Sequence, residues 1–209
     1  MTTTTDTTRF ELLHALAVKG LASDEVLAAM TGMDADALRA EVLAAVDDGL
    51  VIRREGRISG TMITPAGRAR LAELLELLPL SDAALAAANT CYDDFLPLNG
   101  EFKRVCAAWQ MRDETTPNDH TDADYDDGVI GQLDAVESRI DDILADVESS
   151  IPRLGRYRGR LVAAQDKVHA GDKAAFARPM YDSYHDIWME LHQDLLLTTG
   201  HERGAADEG

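Results

Sequence analysis

The sequence predicts a mostly α protein in two parts, a helical unit with one β-hairpin over residues 8–79 and an antiparallel helical domain over residues 80–203. Three observations lead there. The 209 residues are 45% hydrophobic and 28% charged but only 5% aromatic, a globular composition rich in Ala and Leu and so biased to helix. Apolar residues recur at three- and four-residue spacing along most of the chain. That spacing gives way at two short apolar runs, Leu50-Val51-Ile52 and Thr61-Met62-Ile63, with a polar stretch holding two glycines between them, as in a hairpin.

The elements follow in order. Residues 1–7 are polar and lack a basic segment followed by an apolar core, so they predict a disordered tail and no secretion signal. Residues 8–19, TRFELLHALAVK, form a first helix closed by Gly20. Ser23 caps a second, DEVLAAMT, which ends at Gly32. Asp34 or Asp36 opens a third, ALRAEVLAAVDD, which ends at Gly49. After the hairpin, Thr64-Pro65 supplies an N-cap and a proline at the first helical position for a fourth helix, AGRARLAELLELL.

In the second part Pro79 ends that helix and Ser81-Asp82 caps the next, which runs to Pro97. Asn99-Gly100 predicts a break, and EFKRVCAAWQMR resumes helix with Phe102, Val105, Cys106 and Trp109 on one face. An acidic stretch, DETTPNDHTDADYDDG, contains His120. Its Asp122, Asp124 and Asp126 have the 1, 3, 5 spacing of a calcium loop, but Gly128 falls at position 7 and Leu133 at position 12, so no metal site is predicted. The acids read instead as a capped turn, or as one polar site shared between His120 and the last helix. A long amphipathic helix over 129–151 stops at Pro152, and RLGRYRGRLVAAQDKVHA continues to Gly171. The last helix, SYHDIWMELHQDLLL, carries an apolar stripe of Ile187, Leu191 and Leu195. His185, Trp188 and His192 share an adjoining face, with Asp182, Asp186, Glu190 and Asp194 close by. Residues 204–209 predict a loose tail.

Charge limits the partners. Residues 1–79 carry 8 Lys/Arg against 12 Asp/Glu, and residues 80–209 carry 12 against 26, for a net −18 over the chain. Such a body repels polyphosphate at long range. Two cysteines suggest no disulfide framework and fit a cytoplasmic location, and no apolar run reaches membrane-spanning length. No phosphate-binding glycine loop, nucleophile elbow, HExxH or dinucleotide fingerprint is present, so no cofactor is predicted and no complete catalytic motif stands out.

The words "DDGLVIRREGR" and "ITPAGRARL" resemble the helix-to-wing passage of MarR-like winged-helix regulators, and the order helix, helix, helix, hairpin, helix is that of a winged helix-turn-helix. The resemblance implies that the third helix would enter a DNA major groove. At its start stand Asp34, Ala35, Asp36, Ala37, Arg39, Ala40 and Glu41, of which only Arg39 has the chemistry to read guanine. Arg53, Arg54 and Arg57 on the wing could hold phosphates. DNA is therefore a possible but disfavoured partner, and reuse of the module for protein docking is the competing expectation.

The words "YDDFLPLNGEFKRVCAAWQMR", "NDHTDADYDDGVIGQL", "RLGRYRGRLVAA" and "RPMYDSYHDIWMELHQDLLLTTG" resemble a block of actinobacterial proteins in which a winged helix precedes a helical domain. Some of these are regulator-like. Others are associated with pyruvate phosphate dikinase-like phosphotransferases. The resemblance implies either an accessory subunit docking on such an enzyme or a DNA-binding regulator whose helical domain dimerises or senses a ligand. For the first, Arg112, Arg153, Arg156, Arg158 and Arg160 are the candidate anion-binding residues, since Arg forks match phosphate, with Trp109 and Trp188 beside them. His120, His185, His192 and Glu190 are the candidate acid/base groups. Ion pairing of the arginines with neighbouring acidic helices is the plainer alternative.

Overall fold

A computed structural model of the chain describes residues 3–56, 59–202 and 204; Arg57, expected on a wing, and most of the 204–209 segment lie outside the described residues. The chain is mostly helical with one small antiparallel sheet, and it separates into two compact units, Met1–Ser81 and Asp82–Gly209. Among the described residues no helix is long and apolar enough to cross a membrane.

In the first unit, α1 (Thr4–Lys19) begins within the stretch expected to be a disordered tail. The Thr3 side chain accepts from the Asp6 amide and Asp6 reaches back to the Thr3 amide, a reciprocal cap that satisfies two of the amides a helix start leaves unpaired. Leu12, Leu13 and Leu16 of α1 are fully buried at the centre of this unit. Around α1 pack α2 (Asp24–Thr31), α3 (Ala35–Asp47) and α4 (Pro65–Leu77), capped by Ser23, Asp34 and Thr64 respectively. The hairpin forms from β2 (Val51–Arg54) and β3 (Gly60–Ile63), and a strand the sequence did not announce, β1 (Leu21–Ala22), adds to β3 to give the order β1-β3-β2. Two residues are too few to show a period of two, so β1 had no readable signal. The register aligns Leu21, Met62 and Ile52 on one sheet face, with Val51 and Ile63 buried on the other. Arg9 is 8% exposed and paired to both Glu41 and Asp48.

The second unit is built on four long helices. α5 (Asp82–Gln110) packs on α6 (Ala123–Glu148), α6 packs on α7 (Pro152–His169), and α9 (Tyr184–Thr199) packs on both α7 and α5, closing the ring. The short α8 (Ala174–Ala177) lies against α7 and α9. α5 is one helix, where a break was expected at Pro97 and Asn99-Gly100. Proline removes one helical hydrogen bond and glycine weakens helix propensity. Phe95, Leu98, Asn99 and Phe102 are nonetheless all buried on one face, and their packing outweighs the local preference.

At Gly67, α4 runs close against the Leu50 backbone and Ile63 of β3. A Cβ there would lie 2.1 Å from the Leu50 carbonyl oxygen and 2.8 Å from Ile63 Cγ1, whereas one at Gly159 would meet nothing within 4 Å. Gly67→Ala is therefore expected to lower stability by about 2 kcal/mol or more through overpacking. Gly159→Ala, in mid-helix, should be neutral or stabilising by up to about 1 kcal/mol. Urea melts of the two variants test this, and an equal effect at both positions would refute the packing account.

Candidate functional site

Three polar arrangements of the second unit surround buried carboxyl groups, two of them buried and the third partly exposed at His120. The first network lies between α7 and α9. Arg153, Tyr157 and Arg160 stand three or four residues apart and so share a face of α7. Arg153 donates to Asp194 Oδ1 at 3.2 Å and also to the Thr198 hydroxyl, and the Tyr157 hydroxyl donates to Asp194 Oδ2 at 3.2 Å. Arg160 donates to Glu190 Oε2 at 2.7 Å and to Asp182 Oδ1 at 2.8 Å. Asp194 and Glu190 are 3% and 5% exposed. Burial, with the Asp194 carboxylate to which it donates, pushes the Tyr157 hydroxyl well up, so it stays protonated and keeps donating.

The second network is a single carboxyl. Glu137 of α6 is buried and its Oε2 accepts from the Tyr184 hydroxyl at 2.5 Å, while its Oε1 has no partner among the described residues. Burial raises the Glu137 carboxyl above its usual range, against the lowering effect of the Tyr184 hydroxyl, and Asp141 and Asp134 raise it further. Beside it Trp188 donates from Nε1 to Asn99 Oδ1 at 2.9 Å.

The third arrangement is on the connection between α5 and α6. His120 has φ +59°, unusual for a residue with a Cβ, and its amide donates to Asn118 Oδ1 at 3.2 Å. Its Nδ1 lies 3.0 and 3.1 Å from the two oxygens of Asp126. Asn118 Nδ2 donates to Asp126 Oδ1 at 2.8 Å and to the Trp109 carbonyl at 3.1 Å, which accounts for both amide hydrogens. Lys173 Nζ donates to the His120 carbonyl at 2.6 Å and lies 3.3 Å from Asp126 Oδ2. Asp126 is 5% exposed. Burial raises its carboxyl, but the donors Asn118, His120 and Lys173 together hold it below the usual range. An ionised Asp126 only accepts, so Nδ1 of His120 carries the proton and Nε2 carries the lone pair of the neutral ring. The imidazole also lies against Trp109, centroids 4.4 Å apart, and Trp109 stacks on Phe176 at 4.3 Å.

The chain matches no family model, no curated protein and no solved structure.

The sequence candidates are thus dispersed rather than convergent. Arg158 is held by Asp141 and Glu148, Arg112 lies 3.1 Å from Asp122, and Arg153 and Arg160 are committed to the α9 acids. Arg156 is half-buried and engaged as well. These contacts follow the ion-pairing alternative. Trp188 is fully buried, and His192 is 2% exposed and packs on Phe95. His185 is half-buried over Phe102, with burial lowering its pKa against the opposing effect of Asp186. His120 and His185 have different partners and form no shared polar site. Among the described residues, no three His, Cys, Asp or Glu side chains come together as a metal site. In the first unit Arg39 pairs with Asp36, Arg53 makes a two-pronged pair with Asp24, and Arg54 is exposed.

Asn118, Lys173, Tyr157 and Tyr184 were not foreseen. A signal for the carboxyls did exist, since Asp126 and Glu137 fall on the same stripe of α6 as Val129, Leu133, Val136 and Ile140. An acid on an apolar stripe must be answered from a neighbouring element.

Two outcomes follow. Arg160→Ala removes the guanidinium that pairs with the buried Glu190 and with Asp182 and should cost about 3–5 kcal/mol in a urea melt at neutral pH; a loss typical of a surface ion pair would contradict this. Glu137 has a raised folded pKa, so its contribution is present below its unfolded value of about 4.3 and is lost as pH rises through the folded value. Glu137→Gln should therefore gain stability relative to the parent between pH 4 and pH 7. A pH-independent difference would show that the carboxyl is not perturbed.

Proposed function

We propose that the chain is an accessory protein that works by protein docking, with a winged helix-turn-helix in its first unit used as the docking module. The observation that supports this reading is the outward face of α3. It presents Asp36, Ala37, Arg39, Ala40, Leu43, Ala44 and Asp47 to solvent, and Leu43 is 57% exposed. Ile52 on β2 is 52% exposed. A helix meant to lie among phosphates needs donors and positive charge. This face has acids, methyl groups and one arginine already paired to Asp36. Apolar side chains ringed by acids suit a partner surface that is apolar with basic edges. A pyruvate phosphate dikinase-like phosphotransferase is the partner suggested by the sequence resemblance.

A MarR-like regulator is the second reading, and the exposed Arg54 beside Arg53 on the hairpin favours it. The two are separated by one comparison. Duplex binding measured by fluorescence anisotropy at two salt concentrations should be weak. Mixing with the phosphotransferase should give a stoichiometric complex that Leu43→Arg abolishes without altering the circular dichroism spectrum. Tight duplex binding that falls steeply with salt and is lost on Arg53→Ala/Arg54→Ala would replace the docking reading with the regulator.

A further inference from the structure

We propose that His120 is a nucleophilic centre whose Nε2 takes an acyl group from an uncharged or cationic ester. The inference rests on the second unit alone and stands apart from the docking reading.

Four features carry it. The tautomer is set, because Asn118 has no amide hydrogen left for the ring and Asp126 accepts, so the lone pair is on Nε2. The ring is held in place by Asp126 on one edge and by Trp109 against its face, while Lys173 fixes the His120 carbonyl. Nε2 has no partner among the described residues, and the His120 side chain is 25% exposed while the Asp126 side chain is 7% exposed. A buried carboxylate on Nδ1–H with an open Nε2 is the arrangement that activates an imidazole, orienting the ring and stabilising the cation that forms. Finally, the surrounding connection exposes Asp113, Glu114, Asp119 and Asp122, and the start of α6 exposes Asp124 and Asp127. They repel an anionic substrate and favour a neutral or cationic one.

The Nε2 lone pair adds to the ester carbonyl carbon, and the C–O bond to the alcohol breaks with its electron pair leaving on oxygen. The acylated ring is a cation whose Nδ1–H remains on Asp126. Water then adds to the acyl carbon, the N–C bond breaks, and acid, alcohol and neutral imidazole result, the protons from water ending on the two products.

His169 provides an internal control. It too touches a carboxylate, with Nε2 2.8 Å from Asp134 Oδ1, but the pair lies in solvent, the two side chains being 49% and 42% exposed. Exposure alone ranks His169 ahead of His120, and activation ranks them the other way. The experiment treats the full-length protein with diethyl pyrocarbonate at pH 7 and reads each histidine by peptide mass spectrometry. His120 is expected to react at least about tenfold faster than His169 and to lose that lead in Asp126→Asn. The order in the parent protein needs no variant and so survives a variant that fails to fold. Hydrolysis of p-nitrophenyl acetate should be lost in His120→Gln, and a carboxylated aryl acetate should react several-fold more slowly than the neutral ester. Labelling that follows exposure, or ester hydrolysis unchanged in His120→Gln, overturns the nucleophile. Equal rates for the two esters overturn the assigned substrate charge.

Discussion

A carboxylate removed from water needs a donor at hydrogen-bond distance or a proton of its own, and the second unit meets that demand in three different ways. Asp194 and Glu190 are answered by Arg153, Tyr157 and Arg160 across the α7–α9 seam. Asp126 is answered by an amide, an imidazole and an ammonium, and remains an anion. Glu137 has one hydroxyl, and its carboxyl is pushed up instead. The first arrangement ties helices together, and its charges face each other rather than a ligand. The second leaves a ring nitrogen open toward solvent, which separates a reactive group from a structural one in this molecule.

That ring is placed by the aromatic core. Phe95, Phe102 and Trp109 recur at seven-residue intervals along α5 and so line one face over its last four turns. Each meets an aromatic group from the C-terminal part of the chain. Phe95 packs on Trp188 and His192, Phe102 on Tyr184 and Trp188, and Trp109 on Phe176. His120 adds to the Trp109 end of the column. The same packing explains why α5 passes through Pro97 and Gly100 without breaking, since that face is occupied over its whole length.

In the first unit the electrostatic balance is different in kind. The buried Arg9 is paired to Glu41 and Asp48, whereas the pairs of Arg39 with Asp36 and of Arg53 with Asp24 lie in solvent and contribute little to stability. Their effect is on the surface field. They offset the arginine charge beside the exposed Leu43 and Ile52.

The sequence by itself determined what depends on near neighbours. The caps at Ser23, Asp34 and Thr64, the hairpin runs and the apolar stripes of α6 and α9 all lie within a few residues of what they specify. Mostly helical structure with one hairpin was legible from them. His120, Trp109 and the arginine run were visible as chemistry-bearing residues, but not what each would touch. Tertiary structure decided the pairings, because Arg160 meets Asp182 and Glu190 across 22 and 30 residues, and Lys173 reaches His120 across 53. It also made one helix of α5, since burial of Phe95, Leu98 and Phe102 outweighs the proline and glycine that local rules read as a stop. A side chain's type is written in the sequence, but its protonation, tautomer and availability depend on neighbours that only folding brings within a few ångströms.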